Sequence, residues 1–300
     1  MATVVRSFAI QGIDGYPVDI EIKMLEGQPS ISIIGLGDQA VKEAAERIQA
    51  AIDESGYVFP KKRVIISLAP SDKKKSGSHF DLAMAVGVLC QNGDIGVKKL
   101  PDYGFIGELS LDGRLRACRG ILPMIIAGQK RGIKKIIVPE ANFKEASLVH
   151  GVEILGFYDL TGVIRYLEGK TTGIETHMEE NEKILEESER ILDFKDVKGQ
   201  DELIEAVVLA AAGGHNMLMV GEPGCGKTMI AQRIPTILPE MTEEECLEVT
   251  KIYSISGLLP NGHALMKYRP FRAPHHNASL NALIGGGANA MPGEVSLAHN

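Results

Sequence analysis

Two successive α/β units joined by an acidic connector are expected from three features of the sequence. Over the first 170 residues, β-branched apolar runs alternate with stretches of helical apolar spacing. Between 171 and 196 the apolar content falls and glutamates dominate. Beyond Phe194 a helical stretch, a short apolar run, a glycine loop and a further helical stretch follow one another directly. A length of 300 residues suits two domains. With 44% apolar and 24% charged residues there is material for hydrophobic cores, which excludes wholesale disorder.

Residues 30–34 read as a strand and lead into Gly35, Leu36 and Gly37. Over 39–55, Ala40, Val41, Ala44, Ile48 and Ile52 recur at helical spacing, so an amphipathic helix follows. Residues 63–68 are another β-branched run, closed by Ala69 and Pro70. Residues 80–89 are nearly all apolar, which predicts a buried helix. The runs 103–111 and 115–117 flank Asp112 and Gly113, a strong hairpin signal. A helix over 121–130 and a strand over 135–138, stopped by Pro139, complete an α/β domain with a mixed sheet. The stretch holding Glu179, Glu180, Glu182, Glu186, Glu187 and Glu189 reads as an exposed linker, partly helical. In the second unit, 203–212 reads as a compact helix, 217–220 as a short buried strand and 228–234 as the helix after the loop.

Cys90, Cys118, Cys225 and Cys246 have neither CxxC nor zinc-ligand spacing, so four reduced thiols are expected. The chain shows no basic-then-apolar start and no run of 18 apolar residues. A cytoplasmic protein without membrane contact is the expectation.

The chemistry concentrates at Gly221, Glu222, Pro223, Gly224, Cys225, Gly226, Lys227 and Thr228, which match G-x-x-x-x-G-K-[ST] at every fixed position. Glycines let the backbone curl so that successive N–H groups point at phosphate oxygens. The helix after the loop adds the positive end of its dipole. The Lys227 ammonium is expected to bridge the β- and γ-phosphates, and the Thr228 hydroxyl to ligate Mg2+. ATP with Mg2+ is therefore the expected cofactor, held by 221–228 together with Met229.

Gly35, Gly37 and Ala40 also satisfy the pattern G-x-G-x-x-A between a strand and a helix. A dinucleotide site needs an acid at the end of the next strand, about 20 positions on. Here the next strand ends near Ala69 and the acid beyond it is Asp72, so the motif reads as a structural turn. Two basic clusters, Lys61-Lys62-Arg63 and Lys73-Lys74-Lys75, flank one strand. Solvated loops and contacts to a phosphate backbone both remain open for them. Arg269, Arg272, His275 and His276 lie in a proline-framed loop with Phe271. Adjacent histidines on an extended segment point to opposite faces, which disfavours one shared metal ion. Contacts to an anion, including nucleic acid, suit this loop better.

Several motifs occur in one fixed order: 194–200, then Gly213, Gly214, His215 and Asn216, the phosphate loop, 269–276, Gly285-Gly286-Gly287 and 292–300. Together they resemble the YifB/ComM family of magnesium-chelatase-like AAA+ ATPases, over the whole chain. The resemblance implies a Lon-proteolytic-domain-like α/β domain at 1–168, a linker at 169–193 and the first portion of an AAA+ module at 194–300. It implies that Val197, Gly199 and Gln200 lie at the adenine. For the full-length protein it implies a homo-hexameric, ATP-driven motor acting on branched or single-stranded DNA in recombination or competence. A chelatase-like subunit acting on a protein or a metal tetrapyrrole, and a non-catalytic N-terminal adaptor, are the alternatives.

The Lon likeness raises a peptidase question. Alignment with the Lon serine turn puts His79 at the nucleophile and Leu122 at the base, leaving Ser76 or Ser78 as substitutes. Leucine takes no proton from a hydroxyl, so peptidase chemistry is not expected. An ATPase also needs an acidic pair ending an apolar strand, a sensor and an arginine finger. No aspartate follows Asp201, and no apolar run after Lys227 ends in Asp-Glu. The chain is therefore expected to be a fragment stopping before Walker B, binding nucleotide weakly and hydrolysing it negligibly. The net charge of −7 conceals a mildly basic front: residues 1–170 carry 22 basic and 20 acidic side chains, against 3 and 9 in 171–196. The acidity does not argue against a nucleic-acid partner.

Overall fold

The computed structural model describes residues 2–96, 100–171, 192–259, 265–287 and 290–300. Two long strands absent from the sequence reading, β1 (Thr3–Gln11) and β2 (Asp14–Leu25), open the chain as an antiparallel hairpin. In β2 the buried Val18, Ile20 and Ile22 alternate with Asp19, Glu21 and Lys23, a period of two along the strand. Then come β3 (Ser30–Ile34), α1 (Gln39–Glu54), β4 (Arg63–Ala69) and α2 (Asp81–Asn92). They are followed by β5 (Tyr103–Phe105) and the hairpin β6 (Glu108–Leu109) and β7 (Leu115–Arg116). The domain closes with α3 (Ile121–Lys130), β8 (Lys135–Pro139), α4 (Phe143–Ala146), β9 (Glu153–Phe157) and α5 (Leu160–Leu167).

Seven strands form one mixed sheet in the order β3-β4-β2-β1-β5-β8-β9, parallel except where β2 pairs with β1 and β4. Helices cover both faces. On one side α1, α2 and α5 pack over Val5, Ile20, Ile22, Val64 and Ile66. On the other, α3 and α4 pack over Phe8, Ile136 and Val138. The apolar α2 is buried on all sides through Leu89, as its composition requires. The expected hairpin turns at Asp112 and Gly113, where Gly113 takes φ +78°.

The turn after β3 is structural. A Cβ on Gly35 would sit 2.3 Å from the Leu68 carbonyl oxygen, so the loop lies against β4 only with glycine there. Asp38 caps α1, accepting from Val41 N–H at 3.0 Å and Gly77 N–H at 3.2 Å. A carboxylate already at that helix terminus repels the pyrophosphate that a dinucleotide site must hold. Of the basic clusters, Lys62 pairs with Glu26 at 2.9 Å and the Lys73 ammonium lies 4.6 Å from the centre of the Tyr16 ring. Lys75 is buried with Nζ on the Lys73 carbonyl at 2.8 Å, so it is not part of a solvent-facing phosphate patch.

The second unit holds α6 (Asp201–Gly213), α7 (Lys227–Ala231), α8 (Glu243–Ser256), α9 (Leu280–Ile284), β10 (Gly285–Gly286), β11 (Met291–Pro292) and α10 (Glu294–Leu297). Two expectations change here. Residues 217–220 pair with no strand among the described residues. Met217 and Met219 rest on a small core with Val207 and Ile230, whereas Leu218 and Val220 are each 88% exposed. Burial on both faces needs flanking strands, and one apolar cluster covers only one face. The helix after the loop ends at Ala231, because Pro235 cannot continue it and starts a 3-10 turn instead. Most of the acidic linker, 172–191, lies outside the described residues. Among the described residues no helix is long and apolar enough to cross a membrane, and Cys90, Cys118, Cys225 and Cys246 are all free.

Candidate nucleotide site

The loop from Gly221 to Thr228 curls around the Lys227 ammonium. Its Nζ donates to the carbonyls of Gly221 and Glu222, each at 2.8 Å, and lies 3.4 Å from Cys225 Sγ. The curl depends on Gly224 (φ +85°) and Gly226 (φ +91°), both in the left-handed region that glycine favours. Gly226 is also the N-cap of α7. Among the described residues, the N–H groups of Gly224, Gly226, Lys227 and Thr228 have no hydrogen-bond acceptor. Four free donors and one ammonium converging on a single loop fit a polyphosphate chain. The Thr228 hydroxyl and the Met229 side chain are exposed beside it.

Of the residues expected at the adenine, Gln200 reaches the loop, with Nε2 donating to the Cys225 carbonyl at 3.4 Å. Gly199 (φ +69°) and Gln200 (φ +58°) turn the chain just before α6. Val197 is a core residue, buried with Phe194, Val207 and Ile230.

Arg269 and Arg272 are part-exposed and paired within the protein. Arg269 donates to the carbonyls of Pro239 at 2.7 Å and Asn300 at 2.5 Å, and pairs with Glu245 at 3.4 Å. Arg272 forms a two-pronged pair with Glu294 at 2.6 and 2.7 Å. In Arg272 the fork occupies two of the guanidinium donors that a phosphate would otherwise take. His275 and His276 are exposed, and their rings lie 4.2 Å apart between centroids, tilted by 34°. The expectation of opposite faces fails because this segment turns at His276 instead of running straight. Among the described residues no group of three or more His, Cys, Asp or Glu side chains gathers as a metal site.

The residues that the peptidase question singles out lie in the N-terminal domain. His79 is buried with Nε2 2.9 Å from the Phe8 carbonyl, and burial lowers its pKa to about 4. Leu122 is buried, its N–H donating to Glu145 at 3.3 Å. Ser78 donates to Glu108, whose other oxygen pairs with Arg116 at 3.5 Å. Nearby, Arg47 clamps Asp81 at 2.7 and 3.1 Å. Burial outweighs that cation and pushes the Asp81 carboxyl up to about 6.

A mixed-sheet α/β domain followed by a phosphate-loop module defines the class, an AAA+-type module with a Lon-like front. The chain belongs to the magnesium-chelatase-like family that includes YifB and ComM. The family model described as magnesium chelatase, subunit ChlI, matches residues 193–300, and that described as subunit ChlI of Mg-chelatase matches 20–142. The chain is 40% identical to the uncharacterized protein YifB of Escherichia coli over 99% of its own length and 58% of the relative. It is 38% identical to competence protein ComM of Haemophilus influenzae, with the same coverage of each. A Lon protease of Rhizobium meliloti is 26% identical over 47% of the chain and 18% of its own length. The chain thus spans 58% of the length of the first two relatives.

Proposed function

We propose that residues 221–229 bind ATP with Mg2+, as the phosphate-binding half of an AAA+ ATPase site. The observation that carries this reading is the convergence of Lys227 Nζ with four unsatisfied backbone N–H groups on one glycine loop. Phosphate oxygens compete for the same ammonium that now rests on the Gly221 and Glu222 carbonyls. Gln200 holds the loop through its hydrogen bond to the Cys225 carbonyl. Mg2+, when bound, neutralises phosphate charge, and Thr228 is the residue that would hold it. The test is titration of the chain with a fluorescent ATP analogue in Mg2+. Binding that Lys227→Ala abolishes is expected, with negligible turnover. Equal binding by the variant would overturn the assignment.

For the whole protein we infer a homo-hexameric motor that acts on DNA. The likeness to competence protein ComM supports it. DNA contact is expected to be backbone-dominated and salt-sensitive, with the exposed His275–His276 pair as its remaining candidate in this loop. Single-stranded DNA should stimulate ATP turnover by the complete protein. No stimulation, with turnover raised by a tetrapyrrole or protein partner, would favour the chelatase-like reading that the family models support.

A further inference from the structure

Helix α8 belongs to the phosphate-loop half of the sequence, yet one of its sides lies on the N-terminal domain. At its C-terminal turn the Ser254 carbonyl accepts a hydrogen bond from Gly120 N–H at 3.1 Å. Gly120 is the residue that starts α3, and its φ of +68° suits glycine. Next to it, the Glu145 carboxylate of α4 accepts from the Leu122 N–H and from the Ser254 hydroxyl. Burial raises the Glu145 pKa, and the donors to its carboxylate oppose that shift. The fit is close. A Cβ on Gly120 would lie 2.2 Å from Ile10 and 3.4 Å from the buried Ile255, and one on Gly257 would lie 2.7 Å from Arg119. At the rim Lys251 pairs with Asp14 at 2.9 Å.

The opposite side of α8 serves its own module. Val249, Ile252 and Tyr253 form a core with Leu297, and the Tyr253 hydroxyl donates to the Leu297 carbonyl at 3.1 Å. One helix therefore contributes to two hydrophobic clusters that lie far apart in sequence.

We propose that the start of α3, where Leu122 stands in place of a Lon-type base, is an intramolecular docking surface and that α8 is its occupant. The two carboxylate contacts explain the chemistry. A buried Glu145 needs donors, and the departure of α8 removes one of them. Docking fixes the N-terminal domain to the α8 side of the second unit.

Hydrogen exchange on the full chain tests this directly. The Gly120 amide is bonded only across the contact, whereas the Ile106 amide, bonded to the Ile137 carbonyl, reports the N-terminal core. Ser254→Ala should speed exchange at Gly120 about tenfold and leave Ile106 unchanged. Lys251→Glu, a change at the rim that leaves the core intact, should speed it about threefold, and adding Asp14→Lys should restore protection. Gly120 exchanging at the open-chain rate in the wild-type chain would overturn the proposal. So would Lys251→Glu leaving Gly120 unaffected, or failure of the charge swap to restore it.

Discussion

His79 and Asp81 are two buried groups whose responses to acid oppose each other, and separating them is a demanding test of the N-terminal domain. Burial holds His79 near 4, well below its ordinary 6.5. The unfolded chain therefore binds a proton that the folded chain refuses, and stability falls as pH drops from 6.5 through 4. Asp81 does the reverse. Burial raises it to about 6 from 3.8, so the folded chain binds the proton first, and its contribution grows as pH falls from 6 to 3.8. Each group is worth about 3 kcal/mol across its window, at about 1.4 kcal/mol per pH unit. Their sum is nearly flat in the wild type. Asp81→Asn keeps an acceptor for Arg47 but removes the titration, and should lose about 3 kcal/mol more than wild type between pH 6.5 and 4. His79→Gln keeps a donor for the Phe8 carbonyl, and should gain a similar amount relative to wild type over the same range. Urea unfolding followed by circular dichroism at half-unit pH steps provides the curves. Parallel curves for all three proteins would refute the reasoning, because neither residue would then be carrying a shifted proton.

Three further outcomes are expected. Arg272→Ala and Glu294→Ala should each lower stability by about 1 kcal/mol, the pair being part-exposed, and the double variant should cost little more than either alone; additive losses in thermal unfolding would contradict the two-pronged geometry. Gly35→Ala drives a Cβ into the Leu68 carbonyl and should destabilise by 2 kcal/mol or more, to about 3, by urea titration. Thr228→Ala should weaken nucleotide binding in Mg2+ but change it little in EDTA, measured with the same fluorescent analogue; an equal loss in both buffers would remove the hydroxyl from the metal.

Local patterns were readable wherever one side of an element decides its fate. The strand Ser30–Ile34 and the helix Ile121–Lys130 were expected at these bounds, since their apolar residues repeat at one period between clear breakers. The hairpin of β1 and β2 was overlooked although Val18, Ile20 and Ile22 alternate with charged residues. Glycines 12 and 15 and Pro17 masked a pattern that cross-strand pairing tolerates. The phosphate loop was fully visible because its chemistry lies in backbone shape, which glycine spacing encodes. The fates of Arg269 and Arg272 were not visible. Their partners Glu245 and Glu294 are 24 and 22 residues away, and no local rule selects which carboxylate closes on which guanidinium. Glu145 was missed for the same reason: its importance comes from Ser254, 109 residues later.

The bare face of residues 217–220 has a practical meaning for handling this polypeptide. Leu218 and Val220 are each 88% exposed in a segment that pairs with no strand among the described residues. Such a ribbon end is adhesive, and it accepts any extended segment that reaches it, including the same ribbon on another molecule. Self-association through these four residues would crowd the adjoining phosphate loop.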